Sequence, residues 1–100
     1  MDYTYQLHPS AVEEYSEAYA WYEDKQSGLG ERFIKAVRLK IEEIVQHPET
    51  FGSRDRKKYR EAKIDYFPYH LVYKIQKRKK LLLISSIHHT RRRPLKKYRN

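Results

Sequence analysis

Residues 67–89 read FPYHLVYKIQKRKKLLLISSIHH, and this stretch decides the fold. Phe67, Tyr69, Leu71, Tyr73 and Ile75 occupy alternate positions, the period of a strand with one face buried. Lys77-Arg78-Lys79-Lys80 then interrupts the pattern with charge, as a solvated hairpin tip does. Leu81–His88 follows and is nearly all apolar, which suits a central strand covered on both faces. Two such runs joined by so short a polar segment predict an antiparallel hairpin.

Upstream, Tyr59–Ile64 carries a third strand signal, and residues 48–57 read as a loop in which Pro48, Gly52 and Ser53 form turns. The preceding segment has helical period. Phe33, Val37, Ile41, Ile44 and Val45 mark one helix, closed by Pro48. Val12, Tyr15, Tyr19 and Tyr22, widened by Ala11, Ala18 and Trp21, mark another. Ser10 with Glu13 has capping-box spacing, which predicts Ser10 as N-cap. Gly28 and Gly30 predict a short turn between the helices. Tyr3–Leu7 alternates like a strand before His8-Pro9 breaks it. The order is β-α-α-β-β-β: an α+β fold with a helical hairpin packed on a mostly antiparallel four-stranded sheet. At 100 residues the whole chain, 1–100, is expected to form one domain.

Charge is divided unevenly. Residues 1–50 hold five Lys/Arg against ten Asp/Glu, and residues 51–100 hold seventeen against three. A basic field of this kind repels itself within a compact state, so a polyanionic partner is expected to offset it. Nucleic acid and an acidic protein segment are the main candidates. An anionic membrane ranks last, because the basic residues lie outside the amphipathic helices. Cysteine is absent, so thiolate ligands and disulfides are excluded. The N-terminus lacks the charged and apolar regions of a signal peptide, and the longest strictly apolar run, Leu81–Ile84, is far too short to span a bilayer. These features predict a cytoplasmic protein.

The element order and three stretches of text resemble the RelE/ParE superfamily of bacterial type II toxins. The first stretch is the opening strand running into Pro9-Ser10-Ala11 and the acidic, aromatic helix Glu13–Tyr22. The second is Arg60 followed by Phe67-Pro68-Tyr69-His70-Leu71-Val72-Tyr73-Lys74-Ile75. The third is the apolar strand ending in His88-His89-Thr90-Arg91-Arg92-Arg93-Pro94. The resemblance implies a growth-inhibiting toxin of a plasmid-stabilisation type of module, neutralised by a cognate antitoxin. RelE-like members cut mRNA on the ribosome without metal or cofactor, whereas ParE-like members inhibit DNA gyrase. One fold hosts both activities, so fold does not choose between them.

Metal-free RNA cleavage requires a base for the 2′-hydroxyl, cations at the phosphorane-like transition state and an acid for the leaving oxygen. By resemblance, Lys57, Lys58 and Arg60 stand near one of the nuclease positions, and Arg91, Arg92 and Tyr98 near another. His89 adds an imidazole, a side chain able to serve as acid or base in such a reaction. The candidate catalytic set is therefore Arg60, His70, His89, Arg91, Arg92 and Tyr98. The candidate surface for antitoxin, target or nucleic acid is Lys57, Lys58, Arg60, Arg91, Arg92, Arg93, Lys96 and Lys97. RelE-like sequences read Tyr-Arg-Leu-Val-Tyr in the middle strand; here Tyr69-His70-Leu71-Val72-Tyr73 places His70 where their arginine stands. Imidazole moves protons but has no bidentate fork for phosphate. That departure, with the Phe-Pro-Tyr start and the His89–Pro94 ending, favours the ParE-like branch. The alternatives are a ribosome-dependent endoribonuclease and a degenerate member that binds antitoxin without being toxic.

More ordinary roles compete for the same residues. His8 and His47 flank helices as surface residues, Tyr15, Tyr19 and Tyr22 read as core, and His70 reads as a solvated side chain on a sheet. His88 and His89 are adjacent and face opposite ways on a strand, so no metal site is expected of them, and no cofactor is expected of the chain.

Overall fold

The computed structural model describes residues 3–54 and 58–91. The elements are β1 (Thr4–Leu7), α1 (Pro9–Lys25), α2 (Leu29–Gln46), β2 (Ser53–Arg54), β3 (Tyr59–Lys63), β4 (Tyr69–Gln76) and β5 (Leu81–His89). They form one sheet in the order β1-β5-β4-β3-β2. The β-α-α-β-β-β order is as expected, with the two-residue β2 added at one edge inside the segment read as a loop. β1 pairs parallel with β5, Thr4 opposite Leu81 and Leu7 opposite Ile84; the other pairings are antiparallel. No helix among the described residues is long and apolar enough to cross a membrane.

α1 begins earlier than the capping-box reading placed it. His8 is the N-cap, and its Nδ1 accepts the Ser10 amide at 3.0 Å. Pro9 occupies the first helical position, where its fixed φ is pre-organised and its missing N–H costs nothing. Ser10 therefore lies inside the first turn. The buried positions of α1 are Ala11, Ala18 and Tyr22, with Tyr15 packed at their margin. Val12 and Trp21, assigned to the apolar stripe by spacing, face outward at 46% and 56% exposure.

At the turn into α2, Gly28 adopts φ +90°, a conformation that L side chains rarely take. Glu23 of α1 accepts the Gly28 and Gly30 amides, each at 3.0 Å, and so caps the donors of the next helix. Gly30 serves a different purpose: a Cβ there would lie 2.8 Å from both the ring and the backbone carbonyl of Tyr19. The hairpin closes only because that position has no side chain.

The core fills the space between the helices and one face of the sheet. Ala62, Leu71, Tyr73, Leu82, Ile84 and Ile87 meet Ala11, Ala18, Phe33, Val37, Ile41 and Ile44. Tyr22, Phe33, Phe67 and Tyr69 close one end as an aromatic cluster with ring centroids 5.0 to 6.1 Å apart. Such pairs add about 0.5–1.5 kcal/mol each beyond the area they bury.

A β-bulge sets the faces of β5. Val72 is opposite Ser86, but Tyr73 is opposite Ile84, which leaves Ser85 as the extra residue. Ser85 is buried, and its hydroxyl donates to the Val72 carbonyl at 3.3 Å. Without this insertion, strict alternation would put Leu82 and Ile84 on the face of Ser86 and His88. With it, Leu82, Ile84 and Ile87 all face the helices, and Ser86 and His88 face the other side.

Candidate functional site

The sheet face turned away from the helices collects side chains from three neighbouring strands. Register puts Lys63 opposite His70, His70 opposite His88, and Glu61 opposite Val72, so all of these share one face. One nitrogen each from His70 and His88 and one carboxylate oxygen from Glu61 lie within 4.8 Å of one another. The two imidazole centroids are 5.9 Å apart. His88 is buried, while Glu61 and His70 are half-buried.

The edge of β5 explains how His88 is held. β1 covers β5 only as far as Ile84, where the His8 amide donates to the Ile84 carbonyl at 2.8 Å and the chain turns into α1. Beyond that point the edge needs other partners. Glu14 Oε1 of α1 accepts the Ile87 amide at 2.8 Å and the Ser86 hydroxyl at 3.2 Å. Ser86 Oγ in turn lies 3.2 Å from His88 Nδ1. A carboxylate only accepts, so the serine hydrogen is directed to Glu14 and the imidazole donates to the serine oxygen. This assignment places the His88 proton on Nδ1 and its basic lone pair on Nε2.

Other sequence candidates are held elsewhere. Arg60 pairs with Tyr73 and faces the helices, on the opposite side from His70. Its guanidinium donates to the carbonyl of Phe51 at 2.7 Å and to that of Glu49 at 3.4 Å. Beside it, the Tyr73 hydroxyl donates to the Pro48 carbonyl at 2.6 Å. The two side chains latch the loop after α2 onto the sheet. Burial pushes the Tyr73 hydroxyl up to about 12, against the opposing pull of the Arg60 charge. Lys63 shares the face of His70, but its ammonium donates to the carbonyls of Ile64 and Phe67, both at 3.1 Å. Lys58 is exposed, with its ammonium 5.7 Å from the centre of the Tyr59 ring.

His89 and Arg91 lie together at the far end of β5. The Arg91 amide donates to His89 Nδ1 at 3.0 Å, and the His89 ring meets Tyr69 edge-on at 5.3 Å. Both border a groove of about 910 Å³ between α1 and the ends of β4 and β5, whose α1 wall includes Glu14, Glu17 and Trp21. Lys57, Arg92, Arg93, Lys96, Lys97 and Tyr98 lie outside the described residues. The structure thus brings His70 together with His88 and Glu61, and separates it from Arg60. Glu61, His88, Ser86 and Glu14 were not among the residues picked from sequence. The interrupted apolar spacing at Leu82, Ile84 and Ile87 was the available signal for the bulge that turns Ser86 and His88 to this face.

Comparison with known proteins places this geometry. Residues 5–94 match the family described as ParE toxin of type II toxin-antitoxin system, parDE. The chromosomal ParDE system of P. aeruginosa aligns with a TM-score of 0.73 at 11% identity, covering 87% of this chain and 95% of that one. A mutant of the E. coli toxin RelE in the free state gives 0.69 at 19% identity, covering 91% and 86%. The intact E. coli RelBE toxin-antitoxin complex gives 0.66 at 18%, covering 90% and 99%. Comparison with curated proteins gives no match. At these identities the solved structures speak for the fold, and the family match over most of the sequence speaks for kinship. The chain belongs to the ParE toxin family of type II toxin-antitoxin systems, within the RelE/ParE superfamily.

Proposed function

We propose that this toxin arrests bacterial growth in the cytoplasm by binding a protein target, with DNA gyrase as the target the family implies, and that a cognate antitoxin neutralises it. One observation carries the choice against the nuclease. The sheet face that holds His70 has an imidazole in the arginine's place, Lys63 on that face is committed to backbone carbonyls, and Arg60 lies on the opposite face and is likewise committed. A phosphoryl transition state needs positive charge aimed at its oxygens, and these two side chains are directed elsewhere. The antitoxin is supported by the family match and by the likeness to a toxin that crystallised in complex with its antitoxin.

A second reading, a metal-independent endoribonuclease, is favoured by the paired imidazoles of His70 and His88, since acid and base are the other requirement of RNA cleavage. Induced expression in a bacterial host separates the two, with translation and DNA supercoiling followed in parallel after growth stops. Intact mRNA with gyrase inhibition is the expected result. Translation arrest with mRNA cut inside ribosomes would replace it with the nuclease, and unimpeded growth would point to a degenerate member that only binds antitoxin.

A further inference from the structure

We propose that Glu61, His70 and His88 form a zinc site on the sheet face turned away from the helices. The three ligands come from three successive strands, β3, β4 and β5, and antiparallel register sets them on one face. Among the described residues they form the group of His and acidic side chains with donor atoms mutually within 4.8 Å. Two imidazoles and a carboxylate are a donor set that suits Zn²⁺, and three protein ligands leave a fourth position for water or a partner's side chain.

The geometry is close to what the ion needs. Zinc-to-ligand bonds of about 2.0–2.1 Å in a tetrahedron put the donors roughly 3.3 Å apart. The donors have to close from within 4.8 Å, and Glu61 and His70 are half-buried whereas His88 is buried. His88 is held in place for this role: its Nδ1 is hydrogen-bonded to Ser86 Oγ, which Glu14 orients, so Nε2 is the nitrogen that would ligate. An outer hydrogen bond of this kind fixes the ring and raises its basicity as a ligand. Lys63, the cation nearest to His70 in register, is drawn to the Ile64 and Phe67 carbonyls, which lowers the electrostatic cost of bringing a dication to this face.

The site does not depend on which cellular target the toxin has, because the residues and their register are the same in either case. A bound ion ties three strands together, and its open position adds a ligand-exchange point to a face otherwise recognised by shape and charge.

The test uses the untagged full chain, stripped of metal, with Zn²⁺ titrated in competition against a chromophoric chelator. One equivalent should bind, and Glu61→Gln and His70→Asn should each weaken binding at least tenfold, whereas His47→Asn should leave it unchanged. Ser86→Ala should weaken binding through His88 by about 10–100-fold. Because His88 is buried, His88→Asn is checked for folding by circular dichroism, and the Glu61 and His70 variants carry the conclusion if it does not fold. Loss of zinc-induced shifts of the His70 and His88 imidazole signals in the variants gives a readout independent of toxicity. Failure of the wild-type chain to take up one equivalent, or equal affinity in Glu61→Gln, His70→Asn and the wild type, would overturn the proposal.

Discussion

Glu14 holds the edge of β5 where β1 ends, and its removal tests whether that edge needs a side-chain cap. Glu14→Ala deletes two bonds to a charged acceptor, from the Ile87 amide at 2.8 Å and the Ser86 hydroxyl at 3.2 Å. Bonds to charged groups contribute about 1.5–3 kcal/mol when buried, and leaving a buried donor unpaired costs about 1–3 kcal/mol. Both bonds are only partly buried, so water recovers a share, and a net loss of about 2 kcal/mol follows. Alanine is the better helix former by a few tenths of a kcal/mol, which offsets a little of this. With a urea slope of roughly 1.5 kcal/mol per molar, the unfolding midpoint should fall by about 1.3 M at unchanged slope. Glu14→Gln keeps an acceptor oxygen and should lose about half as much. Glu17→Ala, exposed on the same helix, should stay within about 0.5 kcal/mol of wild type. Hydrogen exchange adds a local readout, with the Ile87 amide losing protection in Glu14→Ala before its β4-bonded neighbours do. A midpoint indistinguishable from wild type, together with an unchanged Ile87 exchange rate, would refute the edge-capping argument.

Three further substitutions follow from the packing. Tyr73→Phe removes the bond to the Pro48 carbonyl and should cost about 1 kcal/mol, a drop of roughly 4–8 °C in a thermal melt. The folded-state value of the Tyr73 hydroxyl, about 12, lies above the ordinary 10.0, so its contribution is complete below pH 10 and is lost as pH rises towards 12. Tyr73→Phe should therefore flatten that part of the alkaline stability curve. Gly30→Ala forces a methyl group against Tyr19 and should destabilise the helical hairpin by about 1–3 kcal/mol, read by urea denaturation. Burial of Lys40 works against its charge, but the Glu43 hydrogen bond at 3.0 Å and the Asp65 and Glu43 charges outweigh it, so its value is raised. Its stabilisation is then present below pH 10.5 and lost as pH rises through the raised value. Lys40→Met should cost about 1 kcal/mol near neutrality, and the gap from wild type should narrow above pH 10.5.

The fold was legible because its largest signals are periodic. Phe33, Val37, Ile41 and Ile44 were readable as one helix face, and Phe67 to Ile75 as one strand face, since core burial selects those spacings directly. Outward-facing Val12 and Trp21 were not, because they satisfy helical spacing on a helix whose buried stripe is narrow and made of Ala11, Ala18 and Tyr22. His8 as N-cap was hidden by Ser10, the stronger local preference, and Pro9 decided where the helix begins. The candidate site was harder still. Alternation tells which residues share a face of one strand, but register alone tells which residues meet across strands. His70 meets His88 because Leu71 is opposite Ile87, and the bulge at Ser85 makes that register compatible with a core-facing Leu82 and Ile84. Arg60 was picked by its place in the family resemblance, and its backbone partners lie in a loop that no sequence pattern brings near it.

Arg60 and Lys63 spend their hydrogen bonds inside the fold. Both lie on β3, Lys63 on the face of His70 and Arg60 on the face of the helices, and each gives its hydrogen bonds to backbone carbonyls nearby. A cation used in this way stabilises the fold, and turning it towards a phosphate would leave those carbonyls without their donor. Losing such a partner costs about 1–3 kcal/mol where the carbonyl is buried. His70 and His88 stand on the face of Lys63, where register places them beside Glu61. Exchanging His70 for arginine would therefore return one guanidinium fork to this face, and Lys63 would join it only by giving up the Ile64 and Phe67 carbonyls.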